Sequence, residues 1–260
     1  MTKRGRMLLQ LGLLAGVGLA FAVGGRHDPA LADATCVDEA QCGAKKPNIL
    51  IVVDYSTSMN ELWGQPSTRW QRTVTAVKNL VASGSYLSNH AHLALMHYGH
   101  DPVPASSGST IPGDDSGLVD GVALDVAWDD ANDDYLSCNG QALVTALNLM
   151  PAPLDGQLAG IGTWTKGALD RAAVEISQTK ADHPEDGNSR GYGVILITDG
   201  PWTGVDGTTT LAPASQNPGL TAASLFGQGV PTYVVAVAGN AQTKSAADAL
   251  ASAGGIPRVM

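Results

Sequence analysis

Two stretches of this chain carry the same pattern, an uninterrupted apolar run that stops at an aspartate. Residues 49–53 read Ile-Leu-Ile-Val-Val and end at Asp54; residues 194–197 read Val-Ile-Leu-Ile and lead through Thr198 to Asp199 and Gly200. A short run rich in β-branched residues, unbroken by polar side chains, describes a strand buried on both faces, because a strand with one wet face alternates. Such strands need a layer above and a layer below. The sequence between and after them supplies candidates. Trp70, Val74, Val77 and Val81 share one helical face. Asn139 stands as an N-cap before a helix with Leu143, Leu147 and Met150 on one side and Pro151 past its end. Thr165, Leu169, Ala172 and Ile176 line a helix over residues 164–180. Shorter helices follow over 221–228 and 243–253, the last stopped by Gly254-Gly255.

Further strands are expected over residues 91–98 and 231–238, the latter buried. Over 122–128 the large apolar residues alternate with Ala and Asp, which reads as an edge strand. The Pro-, Gly- and Ser-rich residues 100–121 read as a long surface loop. Strands alternating with helices give an α/β fold: a Rossmann-like open, mostly parallel sheet with helices on both faces and one antiparallel edge strand.

At 260 residues and 44% hydrophobic content the chain can bury a full core. Lys3, Arg4 and Arg6 precede an apolar run over 7–23, and Ala30-Leu31-Ala32 offers small residues for cleavage. This is the pattern of a secretory signal peptide over residues 1–32, the alternative being an uncleaved anchor. Residues 33–45 then form a lead-in and 46–260 the domain of an exported protein, in the periplasm, at the cell surface or secreted. Setting 1–32 aside removes Lys3, Arg4, Arg6 and Arg26 against Asp28, moving the formal charge from −9 to −12. So acidic a chain is a poor partner for nucleic acid or an anionic membrane. Cys36, Cys42 and Cys138 allow one disulfide in any of three pairings. Cys36–Cys42 is favoured because its ends need no tertiary fold to meet.

In an open parallel sheet, ligands gather outside the carboxyl ends of the strands. Asp54 and Asp199 lie at such ends, and Gly162-Thr163-Trp164-Thr165 opens a helix on the same rim. Asp54, Ser56, Ser58, Thr163 and Asp199 supply five oxygens, two of them anionic. Hard oxygens of this kind suit Mg²⁺ or Mn²⁺. The two acids are expected at a solvent-facing rim, where their removal would cost the fold little.

The segments Asp54-Tyr-Ser56-Thr-Ser58, Gly162-Thr163-Trp-Thr165-Lys-Gly-Ala168-Leu169 and Leu196-Ile-Thr-Asp199-Gly200 resemble, in order and context, the von Willebrand factor type A (VWA) domains with a metal-ion-dependent adhesion site. The resemblance covers residues 46–255. It implies that Ser56 and Ser58 hold Mg²⁺ directly and that other ligands act directly or through water. It further implies that an Asp or Glu carboxylate of a protein partner takes the open position, in a non-enzymatic adhesion or protein-binding module. Domains of this family finish with another strand and helix beyond the position of Gly254-Gly255, and residues 256–260 are too short to supply both.

Two other functions compete. A phosphotransferase of haloacid-dehalogenase type would use Asp54 as nucleophile, but needs a second acid where Ser56 stands. A structural subunit of an envelope assembly would use the same metal to lock an interface. Other clusters have plainer readings. Asp114, Asp115, Asp129, Asp130, Asp133 and Asp134 lack the Gly and Glu spacing of an EF-hand and read as solvated loops. His90, His92, His97 and His100 do not converge as zinc ligands would. Arg69, Arg72 and Lys78 fall off the apolar stripe and read as a solvated face. Tyr55 and Trp164 read as packing or rim residues.

Overall fold

The computed structural model describes residues 45–64, 66–99, 122–153, 162–204, 209–237 and 239–257, within one compact unit, Ala34–Met260. The expected signal segment, Cys36, Cys42, His100, Asp114, Asp115 and the loop over 100–121 lie outside these residues. Among the described residues no helix is long and apolar enough to cross a membrane.

Five strands form one sheet: β1 (Asn48–Asp54), β2 (His92–Tyr98), β3 (Val122–Val126), β4 (Tyr192–Thr198) and β5 (Thr232–Ala236). Their order is β3-β2-β1-β4-β5. β1 pairs parallel with β2 and β4, β4 pairs parallel with β5, and β3 runs antiparallel on the edge of β2. The expected architecture is therefore the observed one. Among the described residues six α-helices flank it: α1 (Arg69–Val81), α2 (Tyr86–His90), α3 (Gly140–Leu149), α4 (Thr165–Asp182), α5 (Pro218–Gly227) and α6 (Ala241–Ala253). The short α2 carries no long apolar period and was not expected.

Side chains alternate across the sheet, and each face has its own helices. Leu50, Val52, Met96, Val194 and Leu196 pack against Leu169, Ala172 and Ile176 of α4, Ala222 and Leu225 of α5, and Leu250 of α6. On the other face Ile51, Val53, Leu93, Leu95 and Ile197 meet Trp70, Val77 and Val81 of α1 and Leu143 and Leu147 of α3. β1 is buried on both sides, as its unbroken apolar run requires.

Two expectations need correction. The last strand is an edge strand, not a buried one: Tyr233 and Val235 are 44% and 47% exposed, because α1 and α3 cover β1 and β2 and leave the far end of that face open. Asn139 precedes α3 but does not cap it. Its amide donates to Leu93 O at 2.5 Å and its carbonyl accepts from Leu93 N at 3.1 Å, extending the hydrogen bonding of β2 beyond β3.

Opposite the strands' carboxyl ends, a buried ionic cluster joins the approaches to β1 and β4. Asp186 accepts from Lys45 Nζ at 2.6 Å, from the Tyr135 hydroxyl at 2.8 Å and from Arg190, whose guanidinium also reaches Lys46 O at 2.7 Å. His92 and His183 stack on the two sides of this group through Tyr135, at ring distances of 4.7 and 3.9 Å. Burial alone would raise the Asp186 carboxyl, but the hydrogen bonds from Arg190, Lys45 and Tyr135 outweigh it and hold it well below its ordinary value. Cys138, just before α3, is disulfide-bonded. With three cysteines in the chain, that excludes the favoured Cys36–Cys42 pair, and the partner lies outside the described residues.

At the carboxyl end, β2 runs into Gly99 at φ +99°. A Cβ there would lie 2.9 Å from Ser56 N and 2.8 Å from Gly162 O. Three segments meet at a point that admits no side chain.

Two outcomes are expected. Gly99→Ala combines a left-handed backbone with two backbone collisions and should cost about 2 kcal/mol or more in urea unfolding. Asp186→Asn should cost about 3 kcal/mol at pH 7, since it strands a buried Arg190. Because the folded Asp186 carboxyl lies below its unfolded value of 3.8, its contribution is present above about pH 4 and is lost as pH falls further. Urea melts from pH 7 to 3 should therefore show a shallower acid decline in the variant than in the parent.

Candidate metal centre

The strand order reverses direction between β1 and β4, so the crevice at their carboxyl ends is where an open α/β sheet places ligands. Asp54 closes β1 there, and Asp199 follows β4 by one residue. The two acids are held together. Asp54 Oδ2 accepts from Thr198 Oγ1 at 3.1 Å and from Asp199 N at 3.3 Å, while Asp54 Oδ1 accepts from Ser56 N at 2.9 Å. Ser56 Oγ and Ser58 Oγ are 3.0 Å apart, and Ser58 Oγ donates to Asp199 Oδ1 at 2.9 Å. Ser56 and Ser58, expected to share a point with Asp54, instead form a hydrogen-bonded line to Asp199, while Asp54 meets the backbone of Ser56.

Thr163 is buried and is held by its backbone, with no hydrogen bond to the acids or serines among the described residues. Its carbonyl accepts from Thr203 N at 2.8 Å, which ties the threonine loop to the segment after β4. Gly162, its neighbour, presses against the Gly99–Ser56 junction. Trp164 lays its indole over Gly167, where a Cβ would come within 2.1 Å. Tyr55 is a packing residue: its ring stands edge-on to Trp70 at 5.0 Å and its hydroxyl donates to Pro151 O at 2.9 Å.

The site is deeper than a solvent-facing rim. Asp54 is 0% and Asp199 2% exposed. Burial first, and the Asp199 carboxylate second, push the Asp54 carboxyl up to about 7. Replacing Asp54 with Ala would leave Ser56 N, Thr198 Oγ1 and Asp199 N without their acceptor, so that change is not the mild one the rim position implied.

Two residues that the sequence did not assign to the site take part. Thr198 stands inside the apolar run and gave no signal beyond its place before Asp199. Arg69, expected on a solvated face, donates from Nη1 to Asp199 Oδ2 at 3.0 Å and to Ser58 O at 3.2 Å, and pairs through Nη2 with Glu61 at 2.6 Å. The cause is its position at the first turn of α1, where Thr68 and Gln71 form a capping box. In a parallel α/β unit that turn lies on the same rim as the strand ends. Periodicity places Arg69 off the apolar stripe but does not say that its end of the helix faces the crevice.

The other clusters follow their plain readings. Asp130 accepts from Asn132 N and Asp134 N in an exposed turn. His97 pairs with Asp125 on β3, while His92 stacks on Tyr135 at the other pole. Among the described residues no three His, Cys, Asp or Glu side chains gather as a metal site would need.

What the crevice does offer is two hydroxyls beside two carboxylates, a hard-oxygen set suited to Mg²⁺ or Mn²⁺. Its spacing fits. Adjacent oxygens on a six-coordinate Mg²⁺, each at 2.0–2.1 Å, are about 2.9 Å apart, and the Ser56–Ser58 and Ser58–Asp199 oxygens are separated by 3.0 and 2.9 Å. The charge fits as well. Two buried carboxylates lie side by side, and the guanidinium that meets Asp199 is shared with Glu61, so a divalent cation would add positive charge beside them.

No family model matches this chain, and no curated protein matches it. Solved structures do. Proximal thread matrix protein 1 from the mussel byssus is 17% identical over 80% of this chain and 41% of its own, with a TM-score of 0.48. The pilus adhesin SpaC from Lactobacillus rhamnosus GG is 16% identical over 80% of this chain and 30% of its own, with a TM-score of 0.47. The chain spans less than half the length of either protein. It is also similar to a von Willebrand factor type A structure from Catenulispora acidiphila, at 16% identity over 79% of this chain and 37% of that one, with a TM-score of 0.44.

Proposed function

We propose that this chain is an exported VWA-type module that binds a protein partner through a divalent cation, Mg²⁺ or Mn²⁺, held by Asp54, Ser56, Ser58, Thr163 and Asp199. The observation that carries the reading is the hydrogen-bonded line Ser56 Oγ–Ser58 Oγ–Asp199 Oδ1 beside a wholly buried Asp54. A bound cation supplies an electron-poor centre that accepts an Asp or Glu carboxylate from the partner. The protein's own residues determine how that centre behaves. Ser56 and Ser58 contribute oxygens without charge, so the cation keeps more of its positive character than an all-carboxylate cage would leave it. Asp54, fixed by three donors, anchors β1 to β4 and adds negative charge from below. Thr163 adds geometry rather than charge, from a loop pinned by Thr203. Adhesion is named for SpaC; for this chain it rests on the crevice alone.

The phosphotransferase reading has less support. A nucleophile needs a free oxygen aimed at substrate, whereas both oxygens of Asp54 accept hydrogen bonds and the group is buried. Ser56, an uncharged hydroxyl, stands where the second acid would be.

Calorimetric titration of the full chain with Mg²⁺ and Mn²⁺ tests the proposal. Asp199→Ala removes one of two carboxylates and should weaken Mg²⁺ binding by at least ~10-fold, since affinity follows ligand charge. Ser58→Ala should weaken it less, and Thr163→Ala should spare most metal affinity while reducing capture of acidic partners from envelope extracts. Melts in EDTA should stay cooperative for all three. Parent-like Mg²⁺ affinity in both Asp199→Ala and Ser58→Ala would place the cation elsewhere. Mg²⁺-dependent phosphate release lost in Asp54→Asn would reinstate the enzyme.

A further inference from the structure

We infer that Arg69 sets the ion preference of this crevice: by holding one carboxylate oxygen of Asp199, it limits that residue to a single-oxygen contact and favours Mg²⁺ over Ca²⁺. The inference rests on the cation-site reading above and goes beyond it by assigning a selectivity residue.

The two oxygens of Asp199 have different occupations. Oδ1 faces the serines and accepts from Ser58 Oγ, while Oδ2 accepts from Arg69 Nη1 at 3.0 Å. The guanidinium is itself held from several directions. Nη1 also donates to Ser58 O at 3.2 Å, Nη2 pairs with Glu61 Oε2 at 2.6 Å, and the Arg69 backbone N–H donates to Glu61 O at 2.9 Å. A planar fork fixed in this way offers a donor of defined direction, which a flexible ammonium would not. The Arg69 side chain is 16% exposed, so water competes weakly for the contact.

Asp54 is restricted by the same kind of constraint. Its Oδ1 accepts from Ser56 N and its Oδ2 from both Thr198 Oγ1 and Asp199 N. Neither carboxylate can turn both oxygens on one ion without giving up hydrogen bonds that organise the crevice. This matters differently to the two cations. Mg²⁺ takes six oxygens, one from each ligand, at short and nearly octahedral positions; Ca²⁺ takes roughly six to eight at longer range and often gains them from bidentate carboxylates. A crevice in which hydrogen bonds hold both oxygens of each carboxylate gives up fewer of them to an ion that takes one oxygen per ligand than to one that takes two.

The charge of Arg69 is a separate matter. Removing it strengthens any dication, Mg²⁺ and Ca²⁺ alike, so the ratio of the two affinities isolates the geometric role from the electrostatic one. A merely structural role for Arg69 would weaken both ions together and leave the ratio where it was.

The experiment is titration calorimetry of the full chain with MgCl₂ and, separately, CaCl₂, for the parent, Arg69→Gln, Arg69→Lys and Glu61→Gln, with circular dichroism as a check of folding. Arg69→Gln should move the Ca²⁺/Mg²⁺ affinity ratio toward Ca²⁺ by at least ~10-fold, as Asp199 becomes free to chelate. Arg69→Lys keeps the charge but not the fixed fork, and should shift the ratio toward Ca²⁺ by less than Arg69→Gln does. Glu61→Gln, at an exposed side chain whose loss does not endanger the fold, loosens the guanidinium and should shift the ratio the same way by less. An unchanged ratio in Arg69→Gln overturns the inference. Should that variant fail to fold, an unchanged ratio in Glu61→Gln overturns it instead. A parent that binds neither ion overturns the cation-site reading itself, a result distinct from a parent that binds both while its variants keep the same preference.

Discussion

Asp54 Oδ2 accepts hydrogen bonds from the Thr198 hydroxyl and the Asp199 amide, and through that one oxygen the ends of β1 and β4 are held in register beyond the last rung of their ladder. Each element of the crevice depends on this contact. Asp199 reaches Ser58 because β4 ends level with β1; Arg69 reaches Asp199 because the chain leaving β1 passes Ser58 and Glu61 before α1 begins. The physical tension is that the carboxylate performing this work lies in a dry place beside another carboxylate. Burial and the Asp199 carboxylate disfavour its charge, while the hydrogen bonds it accepts favour it. Arg69 sets one positive charge against this pair of acids, through Asp199.

The opposite pole handles a similar problem differently. Around Asp186 the counter-charges are all internal: Arg190 and Lys45 supply the positive side, Tyr135 a further donor, and aromatic rings close over the group. This cluster joins the approaches to β1 and β4 at the start of the sheet. The two ends of the molecule thus hold a buried acid in two ways, Asp186 against two cations and Asp54 against a second acid.

Much of the architecture could be read from local pattern. Unbroken apolar runs identify β1 and β4, and a helical stripe identifies α1 and α4, because burial on a fixed face constrains every second or every third-to-fourth residue. The serines were equally legible, since a strand end, a tight loop and three oxygen-bearing residues lie within five positions. What escaped has a common origin. The roles of Arg69, Thr198, Gly99 and Asn139 are set by which distant segment passes nearby, and no periodicity records that. Asn139 has the composition of a helix cap, yet β2 offers it a better pair of partners in Leu93. β5 shows the complementary limit. Its apolar run matches a central strand, and only its place at the end of the strand order, beyond the helices that cover β1 and β2, leaves Tyr233 and Val235 exposed.

The span between the crevice's two halves also bears on how the molecule forms. Asp54 and Asp199 are 145 residues apart in sequence and meet through direct hydrogen bonds. Closing so long a loop is entropically slow relative to pairing β1 with β2 across α1. The natural order of assembly is that β1, α1 and β2 condense first and β4 docks against the exposed side of β1 afterwards. Until it does, Asp54 is a solvated acid at a bare strand end, with none of its later properties. The crevice therefore comes into being in a single late event, and any chain in which it exists has already folded across its full width.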